Sequence, residues 1–384
     1  MHTFAANEAI AVEDPGSQSR RKNQNTKRPN ILLILADDVG TGDIPYYWKN
    51  LNSSMVSMPN IDSLSEKGVT FMDAHSTPLC APSRYMLLSG NYAHRGVVPK
   101  GSWTLNAQGK NQFMPGQKSL AQVLRDEAGY STAMFGKWHL GAGMHRTVNE
   151  MNRTHVLTEP THDWTQRIID GPNDIGFDTS VITVGGIQSD PYVFFRDGFL
   201  TIDPADAIFW KGGSYEMPRG ISKINRGGKF NGEGAADWDS TAYNMILVNE
   251  TTDFINNHLE NKEDDDNPFF AYVALGAVHT PHSPPYNYLD GSNVSDVYGT
   301  PHMDVLGEMD KVVGSLVSLI EDKNLAEDTI IIFASDNGGL GKTHGTDTTI
   351  YGHASSGPLR NSKGSIYEGK YFLTKWYVYN RLNQ

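Results

Sequence analysis

Four short runs rich in apolar residues occur along the chain, and each is followed closely by polar residues. These runs constrain the fold more than any other feature, because four to eight consecutive apolar residues suit a strand that is buried on both faces. Amphipathic segments lie between the runs, such as the helical stripe from Leu306 to Ile320. Alternating strands and helices predict an α/β fold with a mostly parallel central sheet and helices on both faces. The predicted strands are Asn30–Ala36, Ser131–Phe135, Phe269–Leu275 and Thr329–Ala334.

Polar residues of related chemistry follow these four runs. In an open α/β sheet the carboxyl ends of parallel strands line one crevice, so the side chains that follow the strands meet there. We therefore expect three carboxylates, an amide, two histidines and a lysine to lie close together at this edge. They are Asp37 and Asp38 after the first run, Lys137 and His139 after the second, His279 after the third, and Asp336 and Asn337 after the fourth.

Cys80 is the only cysteine among the 384 residues, so it cannot form an internal disulfide. The usual role of a lone cysteine is to pack as a small apolar side chain. The residues next to Cys80 in the sequence favour a reactive role instead. Pro82 suits the first turn of a helix, whose N-terminus attracts negative charge, and Arg84 lies one turn further on. We expect Cys80 at or just before a helix N-terminus, close to this guanidinium group.

The carboxylates and the amide at the strand ends are hard oxygen ligands, which suit Ca²⁺ or Mg²⁺ better than zinc. Taken singly, each pair has an ordinary explanation. Asp37-Asp38 could cap a helix, and Asp336-Asn337 could belong to a turn. Two oxygen-rich strand ends together with the unusual cysteine favour a metal site.

The run Cys80-Ala81-Pro82-Ser83-Arg84 and the following Leu87-Leu88-Ser89-Gly90 resemble the signature of the formylglycine-dependent sulfatases, in the alkaline phosphatase superfamily. A match to four fixed residue types arises by chance on the order of once per 10⁵ positions, so this signal is strong. Further matching blocks are Gly136–Gly141, His279–His282 and Leu359–Gly369, and the resemblance extends from about Asn30 to Gly369.

This resemblance implies that a formylglycine-generating enzyme oxidises Cys80 to an aldehyde, whose hydrate attacks the sulfur of a sulfate monoester. It also implies one calcium ion, held by position 80 and by the four oxygen ligands Asp37, Asp38, Asp336 and Asn337. Further side chains would act on the sulfate, the leaving group or the nucleophile, although each alone could be an ordinary surface residue. They are Arg84, Lys137, His139, His279 and Lys363.

The net charge and the composition of the chain limit the kinds of binding partner and substrate to be expected. The net charge of −12 argues against nucleic acid, and no apolar run is long enough to span a membrane. The resemblance implies a sulfated aryl compound or carbohydrate as substrate, and a secretory route to the lysosome or the extracellular space. No signal peptide is visible in the chain. Four Asn-X-Ser/Thr glycosylation acceptors favour the same route. They are Asn52, Asn152, Asn249 and Asn293.

Three segments are expected along the chain. Residues 1–29 are polar and basic and are predicted to be a disordered lead-in, and residues 30–369 form the catalytic domain. Residues 142–245 are rich in Gly, Asp and Asn and are expected to form long loops around the site. The family usually continues past Glu368-Gly369 into an apolar strand and a small C-terminal subdomain. We expect this subdomain to be largely missing and residues 370–384 to be a non-native tail, read through from an intron.

Two other functions are compatible with the same residues. Relatives that share this fold include phosphodiesterases and phosphonate hydrolases that also use formylglycine, and turnover of sulfate against phosphate esters would separate them. A truncated chain could also be an inactive binding protein, which the intact set of active-site residues opposes.

Overall fold

The computed structural model describes residues 28–48, 55–99, 111–145, 162–210, 232–261, 267–341, 352–365, 367–368 and 377–379. Within these ranges the strands are β1 (Asn30–Ala36), β2 (Val69–Thr70), β3 (Ser131–Lys137), β4 (Thr179–Thr183), β5 (Phe195–Arg196), β6 (Phe199–Leu200), β7 (Ala207–Trp210), β8 (Gly232–Ala235), β9 (Phe269–Ala274), β10 (Thr329–Ser335) and β11 (Tyr377–Tyr379). The α-helices are α1 (Pro59–Lys67), α2 (Cys80–Ser89), α3 (Leu120–Ala128), α4 (Tyr243–Glu260) and α5 (Pro301–Asp322). Short 3₁₀ helices are Pro45–Trp48, Ala93–Arg95, Pro172–Ile175, Pro204–Asp206, Ser240–Ala242 and Ala326–Asp328.

The described strands form a nine-stranded sheet in the order β2-β11-β10-β1-β9-β3-β4-β5-β6, and β7 pairs with β8 in a separate ribbon. The five central strands, from β10 to β4, are parallel. The outer strands pair antiparallel with their neighbours. The predicted α/β fold with a mostly parallel sheet is therefore confirmed.

All four predicted strands form, and they lie side by side as β10-β1-β9-β3. β1 has the predicted bounds, and β3 continues to Lys137, two residues beyond the prediction. A fifth parallel strand, β4, lies in the region that was predicted to form long loops. Only Val181 and Ile182 of its five residues are strongly apolar, so no apolar run marks this strand in the sequence.

Helices cover both faces of the sheet, as predicted. Alternate side chains of β1 enter two separate cores, because successive residues of a strand point to opposite faces. Leu32 and Ile34 pack with α1, α4 and α5, whereas Leu33 and Leu35 pack on the other face with α2 and α3. The central strands are thereby buried on both sides, which explains their continuous apolar sequences.

Helix α3 shows how local sequence sets the element ends. The Ser119 side chain caps its start by accepting a hydrogen bond from Gln122 N, and Gly129 ends it with a φ of 64°. Helix α4 begins at Tyr243, directly after a short 3₁₀ helix. Leu247 and Val248 continue its buried face towards the N-terminus and so extend the helix.

Strand β11 lies within the segment that was predicted to be a non-native tail, and it pairs antiparallel with both β10 and β2. The origin of this segment stays a prediction, and residues 1–27 lie outside the described part of the chain. Two predicted glycosylation acceptors, Asn249 and Asn293, are exposed, while Asn52 and Asn152 lie outside the described residues. Among the described helices, none has the length and apolarity to cross a bilayer.

Candidate active site

The end of β1 joins the loops that follow β9 and β10. Asp37 N donates a hydrogen bond to Ala277 O at 2.8 Å, and Asp38 N donates to Asp336 Oδ1 at 3.2 Å. Asp38 has a φ of 65°, a left-handed conformation that Asp tolerates better than most residues. The chain therefore turns sharply after β1 and directs two consecutive carboxylates into the crevice at the carboxyl edge of the sheet.

Four oxygen-bearing side chains at this edge fit a hard cation. Asp37, Asp38, Asp336 and Asn337 are at most 1% exposed. Asn337 Nδ2 donates to Asp38 Oδ1 at 2.7 Å. Asp38 Oδ2 and Asn337 Oδ1 are buried without a hydrogen-bond partner among the described residues. Buried acceptors are costly when unpaired, so both oxygens are available for a metal ion.

Cys80 is the first residue of α2, as the sequence predicted. Its Sγ donates to Asp37 Oδ1 at 3.3 Å, lies 3.9 Å from Asp38 Oδ1, and accepts from Lys363 Nζ at 3.2 Å. Burial, together with the charge of Asp336, raises the pKa of the Cys80 thiol well above its usual value. The unmodified side chain is therefore a protonated, weakly nucleophilic thiol, although it lies among groups that suit an anion.

Arg84 lies one turn into α2 and is fully buried. Its Nε and Nη2 donate to Asp336 Oδ2 at 3.1 and 2.8 Å, and its Nη1 donates to Lys137 O at 3.0 Å. Burial and the neighbouring Asp37 raise the pKa of Asp336 to about 6 despite this guanidinium group. Arg84 thus ties α2 to the ends of β3 and β10.

Two lysines neutralise the consecutive carboxylates. Lys137 Nζ lies 2.5 Å from Asp37 Oδ2, and Lys363 Nζ lies 2.5 Å from Asp38 Oδ1. Although burial alone would raise the pKa of Asp37, Lys137 and the other cationic groups hold it well below its usual value. Lys363 is partly exposed, and together with the buried Arg84 and Lys137 it balances the charge of three carboxylates. A divalent cation would make the site net positive and attractive to an anionic ester.

The two predicted histidines enter from different strands. His139 follows β3 with a φ of 55°, and its N donates to Val184 O at 2.9 Å. Burial and Lys137 lower the pKa of His139 well below its usual value. His279 Nδ1 lies 2.6 Å from Thr280 O, and its Nε2 lies 3.6 Å from Asp38 Oδ2. Burial and Lys363 lower the pKa of His279 to about 4.

The segment that carries Lys363 is docked on the loop after Asp38. Gly42 N donates to Ser355 O at 2.9 Å, and a Cβ on Gly40 would lie 2.0 Å from the same oxygen. His353 Nε2 contacts Asp43 Oδ1 at 2.7 Å in a fully buried pair. Sequence reasoning missed this pair; the glycines Gly40 and Gly42 were the one local sign that another backbone approaches there.

All ten predicted site residues converge at this edge, and Asp37, Asp38, Cys80 and His279 each offer a ligand atom within 4.8 Å of the others. His282, at the end of the matching block His279–His282, packs its ring against His302 at a centroid distance of 4.9 Å.

Comparison with known proteins gives a consistent result. The family model "Sulfatase" matches residues 29–371. The N-acetylgalactosamine-6-O-sulfatase of Bacteroides thetaiotaomicron is 30% identical over 387 residues, covering 92% of this chain and 68% of that protein. The human N-acetylgalactosamine-6-sulfatase is 27% identical over 353 residues, covering 89% of this chain and 55% of that protein. The chain thus spans about two thirds of the bacterial relative and just over half of the human one.

A solved structure described under the metabolism of multiple glycosaminoglycans by Bacteroides thetaiotaomicron superimposes with a TM-score of 0.73 at 26% identity. The match covers 92% of this chain and 72% of that one. Both the sequence match and the fold extend over nearly the whole chain. This chain belongs to the Sulfatase family.

Proposed function

We propose that this chain carries the active site of a sulfuric ester hydrolase that cleaves a sulfate monoester of a carbohydrate. The observation that supports this most strongly is the convergence of carboxylates, lysines and His279 around Cys80 Sγ, with Asp37 Oδ1 at 3.3 Å and Lys363 Nζ at 3.2 Å. Several relatives are named for removing the 6-sulfate of N-acetylgalactosamine, so a 6-sulfated amino sugar is the first substrate to test.

The residues present fit both a calcium ion and a formylglycine at position 80. Asp37, Asp38, Asp336 and Asn337 would hold the ion, and the unpaired oxygens of Asp38 and Asn337 support this assignment. When bound, calcium would polarise the sulfate, and the aldehyde hydrate made from Cys80 by a formylglycine-generating enzyme would supply the nucleophilic hydroxyl. The Sγ atom of the unmodified cysteine stands in for the oxygen atoms of that hydrate.

The cationic side chains would bind the sulfate group. Lys137 ends β3 and Lys363 lies on a loop near the C-terminus, and their ammonium groups contact Asp37 and Asp38 respectively. In the proposed complex both ammonium groups also donate hydrogen bonds to sulfate oxygens, where negative charge changes in the transition state. Arg84 remains bonded to Asp336 and lends its positive charge to the reacting hydroxyl at position 80.

The two histidines would move protons. His279 directs its Nδ1 to Thr280 O, which leaves Nε2 to protonate the departing sugar oxygen. Its pKa is low beside Lys363, and a bound sulfate anion would offset that positive charge and raise it. His139 is neutral at neutral pH, since burial lowers its pKa, and would accept a proton from a hydroxyl at position 80.

Three measurements test this proposal. After secretory expression with a formylglycine-generating enzyme, the tryptic peptide 68–84 should have the mass of the aldehyde form. The protein should then release sulfate from N-acetylgalactosamine 6-sulfate faster than phosphate from the matched 6-phosphate, and EGTA should abolish turnover until calcium is restored. A modified protein that hydrolyses only phosphate or phosphonate esters would replace this proposal with the related hydrolase. A modified protein without any turnover would favour a binding role.

A further inference from the structure

His279 lies on a tight turn that is held from two sides. Within the turn, His279 N donates to Gly276 O at 3.0 Å. On the β1 side, Asp37 N donates to Ala277 O at 2.8 Å, and Val278 N donates to Asp37 O at 2.6 Å. These bonds tie the turn to the strand that carries the proposed metal ligands. The opposite side of the turn meets the first residues of α4.

Two consecutive residues of α4 contact Gly276. Gly276 N donates to Asn244 Oδ1 at 3.1 Å. A Cβ on Gly276 would lie 2.9 Å from the ring of Tyr243, so only glycine fits against that ring. Tyr243 in turn bonds through its hydroxyl group to Thr183 Oγ1 at 2.7 Å, at the end of β4. The start of α4 therefore contacts two of the strand-end segments that border the site.

Glu308 of α5 fixes the orientation of the Asn244 amide. Because a backbone N–H can only donate, the oxygen of Asn244 faces Gly276, and its NH₂ group is left for the hydrogen bond with Glu308. Asn244 is 5% exposed and Glu308 is 1% exposed, so neither depends on water. Burial raises the pKa of Glu308 to about 8, and the side chain accepts this bond as a neutral acid.

A buried glutamic acid between α4 and α5 is energetically unfavourable compared with an apolar side chain. Its Oε1 is buried without a hydrogen-bond partner among the described residues, and a leucine would fill similar space without that cost. The carboxyl group gives the interface a fixed acceptor, and through it a single orientation of the Asn244 side chain.

We propose that Asn244, oriented by Glu308, is a positioning residue for His279. It acts through Gly276, by fixing the turn that sets the direction of the imidazole. The proposal rests on the proposed function, in which His279 protonates the leaving group. Misplacing a proton donor slows the reaction most where the leaving group most needs the proton.

The test compares two sulfate esters in the calcium-loaded, formylglycine-containing protein. A sugar sulfate releases a poor leaving alcohol, whereas 4-nitrocatechol sulfate releases a phenol that leaves with little help. Asn244→Ala should lower kcat for the sugar sulfate by about tenfold, leave its KM nearly unchanged, and affect the aryl sulfate much less. Asn244→Asp keeps an acceptor for Gly276 N, and the neutral Glu308 can donate its proton to the other carboxylate oxygen, so this variant should recover most of the lost kcat. Asn257→Ala, at an exposed site on the same helix, is the matched control.

Equal losses of kcat for the two esters, or no loss, would overturn the proposal. A wild-type protein that hydrolyses neither ester would refute the proposed function instead. The positioning can then still be judged from ¹⁵N-resolved histidine spectra. The His279 ring signals should shift or broaden in Asn244→Ala and not in Asn257→Ala, and unchanged His279 signals would overturn the inference independently of activity.

Discussion

At the amino edge of the parallel strands, Asn30 Nδ2 donates to Thr329 Oγ1 at 3.3 Å and Asn30 Oδ1 accepts from Phe269 N at 3.1 Å. One uncharged side chain thereby joins β1 to both of its neighbours. At the carboxyl edge of the same strands, Asp38 and Asn337 keep buried oxygens without partners, and buried charges replace neutral hydrogen bonds. The difference shows that one sheet divides its roles between two edges, about 20 Å apart along β1.

The two edges of the sheet differ in how their buried polar groups are paired. The amino edge completes its hydrogen bonds, so changes there should cost stability without affecting chemistry. The carboxyl edge holds ionic groups out of water and leaves acceptors unpaired, which costs stability and creates a site that the proposed cation and anionic ester would complete. Substitutions at the two edges should therefore separate activity from stability.

The largest effect is expected at Cys80. Cys80→Ser removes the precursor of the proposed nucleophile and should lower kcat by at least about 10⁴-fold, with little change in melting temperature. A serine ester at this position cannot release sulfate by the same route, so intact-mass spectrometry should detect a sulfated protein. Sustained turnover by this variant, measured as sulfate released per protein, would contradict the proposed chemistry.

Lys363→Met should have the next largest effect, since it removes the ammonium group that contacts both Asp38 and Cys80. Loss of one preorganised cation in a buried site should lower kcat by about 10²- to 10³-fold. Lys118→Met is the control, because Lys118 pairs with Glu127 on the surface. Steady-state kinetics on both variants measure the effect. A kcat of Lys363→Met within threefold of the wild-type value would contradict the catalytic role assigned to the carboxyl edge.

Glu308→Gln tests whether a buried acid behind the carboxyl edge costs stability. The folded pKa of Glu308 is about 8, against an ordinary value of 4.5, so the folded state retains a proton that the unfolded state releases. Stability should fall as pH rises from 4.5 to 8, and glutamine avoids this loss. The free energy of unfolding of the variant, relative to that of wild type, should therefore rise by on the order of 1–3 kcal/mol from pH 5 to pH 8. Urea denaturation of both proteins at the two pH values measures this change. A stability difference that does not vary with pH would count against the raised pKa.

Asn30→Ala probes the amino edge and should have the smallest effect. It removes the two hydrogen bonds that join β1 to β9 and β10, which should lower the free energy of unfolding by about 1–2 kcal/mol. The kcat measured well below the melting temperature should equal that of wild type. A fall in kcat without a fall in stability would show that the two edges are not separate.

The sequence allowed the central sheet to be predicted because strands buried on both faces must be apolar along their whole length. β1 has the predicted bounds for this reason. The strand-end residues followed from the same logic, since parallel strands place their carboxyl ends together. Residue roles, by contrast, came from the family resemblance of the segment around Cys80.

The remaining features depend on contacts between distant segments. Asp43 and His353 are 310 residues apart, and the glycines beside Asp43 indicate a close backbone approach without identifying its partner. β4 carries too few apolar residues to be recognised without its partner β3. The role proposed for Asn244 depends on Gly276, in the turn after β9, and on Glu308 of α5. Local patterns cannot contain this information, because it arises only when the chain has folded.

The order in which the chain emerges gives β1 a further consequence. Its neighbours β9 and β10 follow 239 and 299 residues later, and Lys363 follows Cys80 by 283. At a synthesis rate of about 5–20 residues per second, roughly 15 to 60 s pass between the synthesis of β1 and that of β10. Cys80 is buried once the chain has folded, so the proposed formylglycine-generating enzyme would have to reach the thiol during this interval. The wide separation of the paired strands would therefore set the time available for modifying Cys80 before the central sheet is complete.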